Sequence, residues 1–362
     1  MPPRSRPISG RRLQEFRLIN VLRRRFGQTG RSVLRGIGDD TAVVQPSLRR
    51  QLLLTTDLLA EGVHFDLATA GFEDVGYRAA VANLSDIAAM GGRPEYLLVA
   101  LAIPSSCRSA EIEALYRGLM AASRPHGVVL IGGDISASQG GLFVSITLVG
   151  SVASGQALTR NTARTGDLLY VTGTLGDSLV GLEILSTSRQ KRRTAFGRAK
   201  TRWTDPTTRF LIERHLRPTP RIKEGQALAT NRIATAAIDL SDGLSGDLAH
   251  LCEESGVGAE VEAAALPLSP VCRAYAAAGR VDPIHLALKG GEDYELLFTV
   301  PPKHRPRLDR LAQQHGFRFS RIGTIRPKSF GVRLRSPDGT LCRLPVISYE
   351  HFQDNQEAPW SR

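Results

Sequence analysis

The sequence predicts an α/β protein of the α+β type, built as two lobes. Three observations lead there. At 362 residues the chain exceeds an ordinary single domain. Apolar residues make up 42% and charged residues 23%, the balance of a chain that buries a core. Segments of helical and strand periodicity alternate irregularly, and adjacent strands lack the crossover helix that a doubly wound parallel sheet requires.

The first lobe is assigned to residues 13–155, after a basic tail at 1–12. Periodicity predicts a helix over 13–26, a Gly-Asp turn at 36–40 and a strand over 52–56. A long helix (73–90), a strand (95–103), a helix (109–126) and two β-rich runs (128–131 and 142–152) follow. The second lobe, 156–362, begins its regular structure near Gly166. There the pattern gives a strand (168–171) and a helix after Gly-Thr-Leu-Gly-Asp, then helices at 206–215 and 222–229. A strand (236–240), a helix (245–255), a strand (294–300), a helix (303–315) and short strands toward Tyr349 complete it. Residues 186–204 are basic, rich in Ser and Thr and without periodicity, as an exposed insertion would be.

The formal charge of +12 is unevenly spread. Residues 1–35 carry +9 and residues 189–202 carry +7, so the remainder stands at −4. Basic character thus belongs to two segments, and a nucleic-acid partner is not expected for an otherwise mildly acidic protein. No apolar run reaches about 18 residues, which excludes a membrane-spanning helix, and the Arg-rich start lacks a secretory apolar core. A cytoplasmic location is expected. The four cysteines, Cys107, Cys252, Cys272 and Cys342, form no CxxC pair, so neither zinc nor a disulfide framework is indicated.

The chemistry is carried by aspartates. No GxxxxGK[ST] loop is present, and GIGDDT fails the GxGxxG pattern at its last position. Instead Asp39 and Asp40 (GIGDD), Asp57 (LLLTTD), Asp86 (ANLSD), Asp134 (IGGD), and Asp239 and Asp242 (IDLSDG) recur in Gly-rich or strand-end settings. Asp86 shares a helix stripe with Val75, Ala79, Ala82 and Ala89, which aims its carboxylate at the core. A buried carboxylate must be protonated, ion-paired or bound to a metal. Strand alternation places Leu53, Thr55 and Asp57 on one face, ending a buried strand in hydroxyl and carboxylate oxygens. Oxygen ligands without Cys or His favour magnesium or calcium, and a contiguous DxDxDG calcium loop is missing.

GIGDDTAVV (36–44), TTDLLAEGVHF (55–65), AVANLSDIAAMGG (80–92), IGGDIS (131–136), LTRNTARTGD (158–167), LYVTGTLGDS (169–178), HLRPTPRI (215–222), AAIDLSDGLSGDLAH (236–250) and GGEDYELLFTV (290–300) together resemble the thiamine-monophosphate kinase family. Singly these pieces are weak; in this order and spacing they are specific. The resemblance implies the two-lobed aminoimidazole ribonucleotide synthetase-like fold, with a dimeric barrel made by two N-terminal lobes. It implies magnesium ligands at Asp40, Thr55, Thr56, Asp57, Asp86, Asp134, Asp239 and Asp242. ATP contacts fall on Tyr116, Gly133, Asp134, Arg160 and Ser241, and thiamine-phosphate contacts on His64, Glu292 and Tyr349. It also implies ATP as co-substrate, a homodimer, and transfer of the γ-phosphoryl group to thiamine monophosphate, in thiamine diphosphate biosynthesis. Because that acceptor is already an anion and no HRD-type or Ser-His constellation is present, direct transfer with no general base or covalent nucleophile is expected. From the residues alone, the alternatives are a surface ion pair for Arg160, a core aromatic for Tyr349, a structural histidine for His64, and turn caps for Glu292 and Asp293. Selenophosphate synthetase, of the same superfamily, is disfavoured because no Cys lies in a Gly-rich N-terminal segment.

Overall fold

The computed structural model describes residues 33–35, 39–45, 49–194 and 205–349. The expected tail at 1–12, the helix at 13–26, Gly36–Gly38 of the first turn and the 195–204 part of the basic insertion lie outside the described residues.

Among the described residues six strands form the first sheet: β1 (Val33–Arg35), β2 (Ala42–Val44), β3 (Arg50–Ala60), β4 (Arg93–Pro104), β5 (Val129–Ser138) and β6 (Phe143–Ala153), in the order β1-β2-β3-β6-β4-β5. Only β4 and β5 run parallel, and the crossover between them contains α2 (Ser109–Ser123). Two helices, α1 (Phe72–Ala89) and α2, cover one face. They cross where each carries a glycine: a Cβ on Gly76 would stand 1.9 Å from the Leu115 carbonyl oxygen, and one on Gly118 would stand 1.7 Å from that of Glu73. Only glycine permits this approach. On β3 the side chains of Leu53, Thr55 and Leu59 are buried under the helices, while Thr56 and Leu58 point outward. The uncovered face exposes Leu58 (55%), Tyr96 (45%) and Val129 (54%).

The second sheet contains β7 (Leu168–Thr172), β8 (Ala236–Leu240), β9 (Val257–Glu262), β10 (Glu295–Val300), β11 (Phe319–Pro327), β12 (Val332–Arg335) and β13 (Leu341–Arg343). Their order is β13-β12-β9-β11-β7-β10-β8, antiparallel throughout except for β12 with β9. The helices of this half are α3 (Asp177–Thr194), α4 (Pro206–Leu216), α5 (Ile222–Thr230), α6 (Leu244–Ser255), α7 (Pro270–Gly279), α8 (Pro283–Lys289) and α9 (Arg305–His315). β7, β8 and β10 are buried at every position, so both their faces are covered. In β10, alternation divides the strand between two cores. Leu296, Phe298 and Val300 join the core of the first lobe, and Leu297 joins that of the second.

Most predicted elements are present, and three differences matter. Helix α3 continues to Thr194, so the first half of the supposed irregular insertion is helical. Strand β3 runs three residues past Asp57, and β5 runs four past Asp134, so neither aspartate ends its strand. Helices α7 and α8 and strand β9 were not foreseen. Both helices are short and start with Pro at the first position behind a capping Ser269 or Asp282.

Candidate metal centre and substrate cleft

Three aspartates from different elements converge. Asp40 comes from the turn before β2, Asp86 from α1, and Asp239 from the end of β8, and one carboxylate oxygen of each lies within 4.8 Å of the others. Thr55 Oγ1, on β3, donates to Asp86 Oδ2, and Ser85 Oγ donates to Asp239 Oδ2 at 2.7 Å. Asp57 stands on the same inner face of β3 as Thr55, and its buried Oδ2 has no hydrogen-bond partner. The only basic side chain seen against the trio among the described residues is Arg160. It ion-pairs with Asp40, and its Nε lies 3.7 Å from Asp39 Oδ1.

Burial of so much like charge raises proton affinity. Burial, then the charge of Asp40, pushes Asp57 up to about 6. Burial combined with Asp57, Asp239 and Asp40 holds Asp86 well above the carboxylate range, and burial with Asp40 does the same to Asp239. Asp39 is pushed up to about 7 by burial and by Asp40. Burial disfavours the Arg160 cation, but Asp40 and Asp39 more than offset that and keep it charged. These carboxylates lack enough counter-charge to be ionised together, and they offer oxygen donors only. That donor set fits a hard divalent cation such as magnesium.

Other expected ligands lie elsewhere. Asp57, Ile146, Val99 and Gly133 are successive register partners across β3, β6, β4 and β5, so they share the inner face. Asp134 is one residue out of phase, beside Ala100, and is exposed on the outer face of the β5 edge. Thr56 faces outward too and takes a 3.2 Å hydrogen bond from Thr147. Neither joins the trio within this chain. Asp242 is half-buried in the loop entering α6, close enough that its charge, with that of Asp239, adds to the burial raising the proton affinity of Asp247. Asp247 caps that loop, accepting from the backbone N–H of Gly243 at 3.0 Å, and was not singled out in the sequence.

A second group surrounds Glu292. Its carboxylate ion-pairs with Arg78 of α1, and its N–H donates to the carbonyl oxygen of Ser241 at 2.7 Å. Arg78 also donates to the carbonyl oxygen of His64 at 2.8 Å, while His64 Nδ1 accepts from the N–H of Ala60 at 3.0 Å. Tyr349 donates its N–H to the carbonyl oxygen of Asp242 at 3.1 Å, so the end of the described chain closes over the same loop. The neighbouring Asp293 is a cap, accepting from Gly176 and Ser178 N–H groups at 2.6 and 3.0 Å at the start of α3. Tyr116, on α2, lines a separate open groove of about 1300 Å³ with Ile103, Ile112, Arg117, Met120 and Ile135.

Comparison with known proteins identifies the family. Residues 38–152 match the family described as AIR synthase related protein, N-terminal domain, and residues 164–334 match AIR synthase related protein, C-terminal domain. The thiamine-monophosphate kinase of Salmonella typhimurium is 39% identical over 338 residues, 93% of this chain and 98% of that protein. The Bacillus subtilis enzyme of the same name is 33% identical over 343 residues, 94% of this chain and 100% of its own. Among solved structures, AaThiL complexed with AMPPCP and TMP superposes with a TM-score of 0.81 at 35% identity, covering 95% of this chain and 100% of that one. Hydrogenase maturation protein HypE in complex with ATP, at 20% identity and a TM-score of 0.64 over 95% of this chain and 97% of its own, shares the fold.

Proposed function

The chain belongs to the thiamine-monophosphate kinase family, and on that premise we propose that it transfers the γ-phosphoryl group of ATP to the phosphate of thiamine monophosphate, giving thiamine diphosphate and ADP. The observation that carries this reading is the carboxylate trio of Asp40, Asp86 and Asp239, drawn from both lobes and short of positive charge. Asp40, Asp86, Asp239 and the orphaned oxygen of Asp57 would hold magnesium, with Asp242 at the edge. When bound, magnesium supplies neutralising charge to the transferring phosphoryl group.

The side chains divide the remaining work. Thr55 and Ser85 fix the rotamers of Asp86 and Asp239 by hydrogen bonds, and Arg160 restrains Asp40. Gly133, Arg160 and Ser241 are assigned to ATP with Tyr116, whose groove is apolar enough to receive a base. His64, Glu292 and Tyr349 are assigned to the acceptor; a carboxylate and an aromatic face both favour a thiazolium cation. The acceptor phosphate has a second pKa of about 6, so it arrives as a nucleophile and needs no general base. Transfer is direct and in line.

The enzyme acts as a cytoplasmic homodimer. The support for dimerisation is the uncovered sheet face with Leu58, Tyr96 and Val129, apolar surface that a second copy would bury. Asp134 and Thr56 point toward that face, which would bring them to a site shared between copies. No helix among the described residues is long and apolar enough to cross a membrane.

An assay with ATP and magnesium, comparing thiamine monophosphate with free thiamine, tests the activity. Thiamine diphosphate should form from the monophosphate only; turnover of thiamine alone would overturn the substrate assignment. Inversion of configuration at a chiral γ-phosphorus is expected, and retention would refute direct transfer.

A further inference from the structure

Arg78 is buried within α1, with 4% of its side chain exposed, yet it touches two of the three residues assigned to the acceptor, His64 and Glu292. One nitrogen, Nη2, serves the His64 carbonyl oxygen in the first lobe and the Glu292 carboxylate in the second. The other, Nη1, lies 3.2 Å from Nε2 of His215 on α4. A guanidinium can only donate, so Nε2 accepts, and the ring proton sits on Nδ1. That proton faces Ser178 Oγ at 3.0 Å, at the start of α3. Burial, reinforced by the charge of Arg78, holds His215 well below the imidazole range, which keeps it in the one form able to accept.

The loop that Arg78 grips is strained. Glu292 and Tyr294 have φ of +61° and +52°, in the left-handed region that non-glycine residues rarely occupy. Such backbone persists when its surroundings over-determine it. Here the surroundings are the Ser241 carbonyl behind Glu292 and Arg78 in front. Glu292 keeps 28% of its side chain exposed, with Oε1 held by Arg78 and Oε2 lying 3.7 Å from Nδ1 of His215, so Arg78 and His215 together fix how the carboxylate is presented.

We propose that Arg78, braced by His215, is a positioning residue for the acceptor end of the site: it sets the spacing between His64 and Glu292 across the two lobes and thereby governs binding of the monophosphate ester but not of ATP. The proposal rests on the reading that His64 and Glu292 contact thiamine monophosphate. A second ion pair already ties the lobes at the surface, Arg217 with Glu73 and Asp74 at 3.0 and 2.7 Å, so lobe closure does not depend on Arg78 alone.

The experiment is steady-state kinetics of the full-length enzyme with each substrate varied in turn, alongside thermal unfolding. For Arg78→Met, KM for thiamine monophosphate should rise about tenfold or more while KM for ATP stays within about twofold. Arg78→Lys keeps the charge but cannot reach three partners, and should fall between wild type and Arg78→Met. Adding Glu292→Gln to Arg78→Met should raise that KM little further, because both act through one contact. Equal rises in both KM values, or a lower melting temperature with both unchanged, would overturn the proposal. If Arg78→Met does not fold, the same split in Arg78→Lys decides. Failure of the wild type to use thiamine monophosphate would instead remove the underlying reading, an outcome distinct from a wild type that works and an Arg78 variant that shows no split.

Discussion

Asp239 and Glu295 sit almost back to back. They lie on paired strands, Asp239 opposite Leu296 and Glu295 opposite Leu240, so alternation sends their carboxylates to opposite faces of the same sheet. Both are buried. On its face Glu295 accepts from Thr172 at 2.6 Å and pairs with Arg214 and Arg221. Burial alone would raise its proton affinity, but the two arginines hold it below the usual range. On the other face Asp239 has the Ser85 hydroxyl and more carboxylates, and its proton affinity is raised. Two arginines thus converge on the single Glu295 carboxylate, whereas Arg160 faces the whole aspartate cluster on the other side. A carboxylate group left short of cations beside one fully neutralised is the signature of a site completed from solution.

The largest effect that separates the two faces should come from Asp86→Asn. Size and the Thr55 hydrogen bond survive, but one charge for the metal is lost, and magnesium-dependent turnover should fall on the order of 1,000-fold. Stability in metal-free buffer should hold or increase, since the replaced charge had no cation partner. A large loss of stability would mean that the cluster is structural. Glu295→Gln should invert the pattern. It leaves Arg214 and Arg221 without their shared carboxylate and should cost about 3 kcal/mol in chemical denaturation, with less change in turnover per folded molecule.

The sequence reveals the members of the cluster better than its membership. Asp86 was legible because an apolar stripe at helical spacing fixes which way it points, and Asp239 because it ends a short apolar strand. Asp134 and Thr56 carried equally suggestive motifs, but which face they occupy depends on register across four strands, which no local pattern encodes. Arg78 and His215 carry no signal in the sequence for a related reason. Their contacts join residues 137 and 214 positions apart, and in sequence each is an ordinary polar residue on a helix. The two-lobed plan was visible because it rests on periodicity; α7 and α8 were not, being too short for a stripe to repeat.

The two faces should also respond oppositely to pH. Glu295, depressed, gives stability that is present above the unfolded carboxylate value and lost as pH falls through its folded value. Asp57 is raised, from 3.8 to about 6, so its contribution is intact at the acid end and is lost as pH climbs through that window. Magnesium should recover what is lost there. Its effect on the melting temperature, worth about 2.7 kcal/mol at a hundredfold excess over Kd, should be full above roughly pH 7 and vanish toward pH 4, where the carboxylates are protonated. A magnesium shift unchanged at acid pH would place the ion elsewhere.

The finest test compares the hydroxyls behind each carboxylate. Ser85 is the direct hydrogen-bond donor seen on Asp239, at 2.7 Å, whereas Thr172 is one of three groups on Glu295. If Asp239 is a ligand oriented from behind, Ser85→Ala should weaken magnesium activation about tenfold, the usual cost of removing a ligand's outer partner, with KM for thiamine monophosphate unchanged. Thr172→Val should leave magnesium activation alone and cost about 1 kcal/mol of stability, because the arginines still hold Glu295. Were both substitutions to alter stability alike and magnesium activation not at all, the two faces would be two versions of one structural device. The difference between them would then lie in the arginines alone.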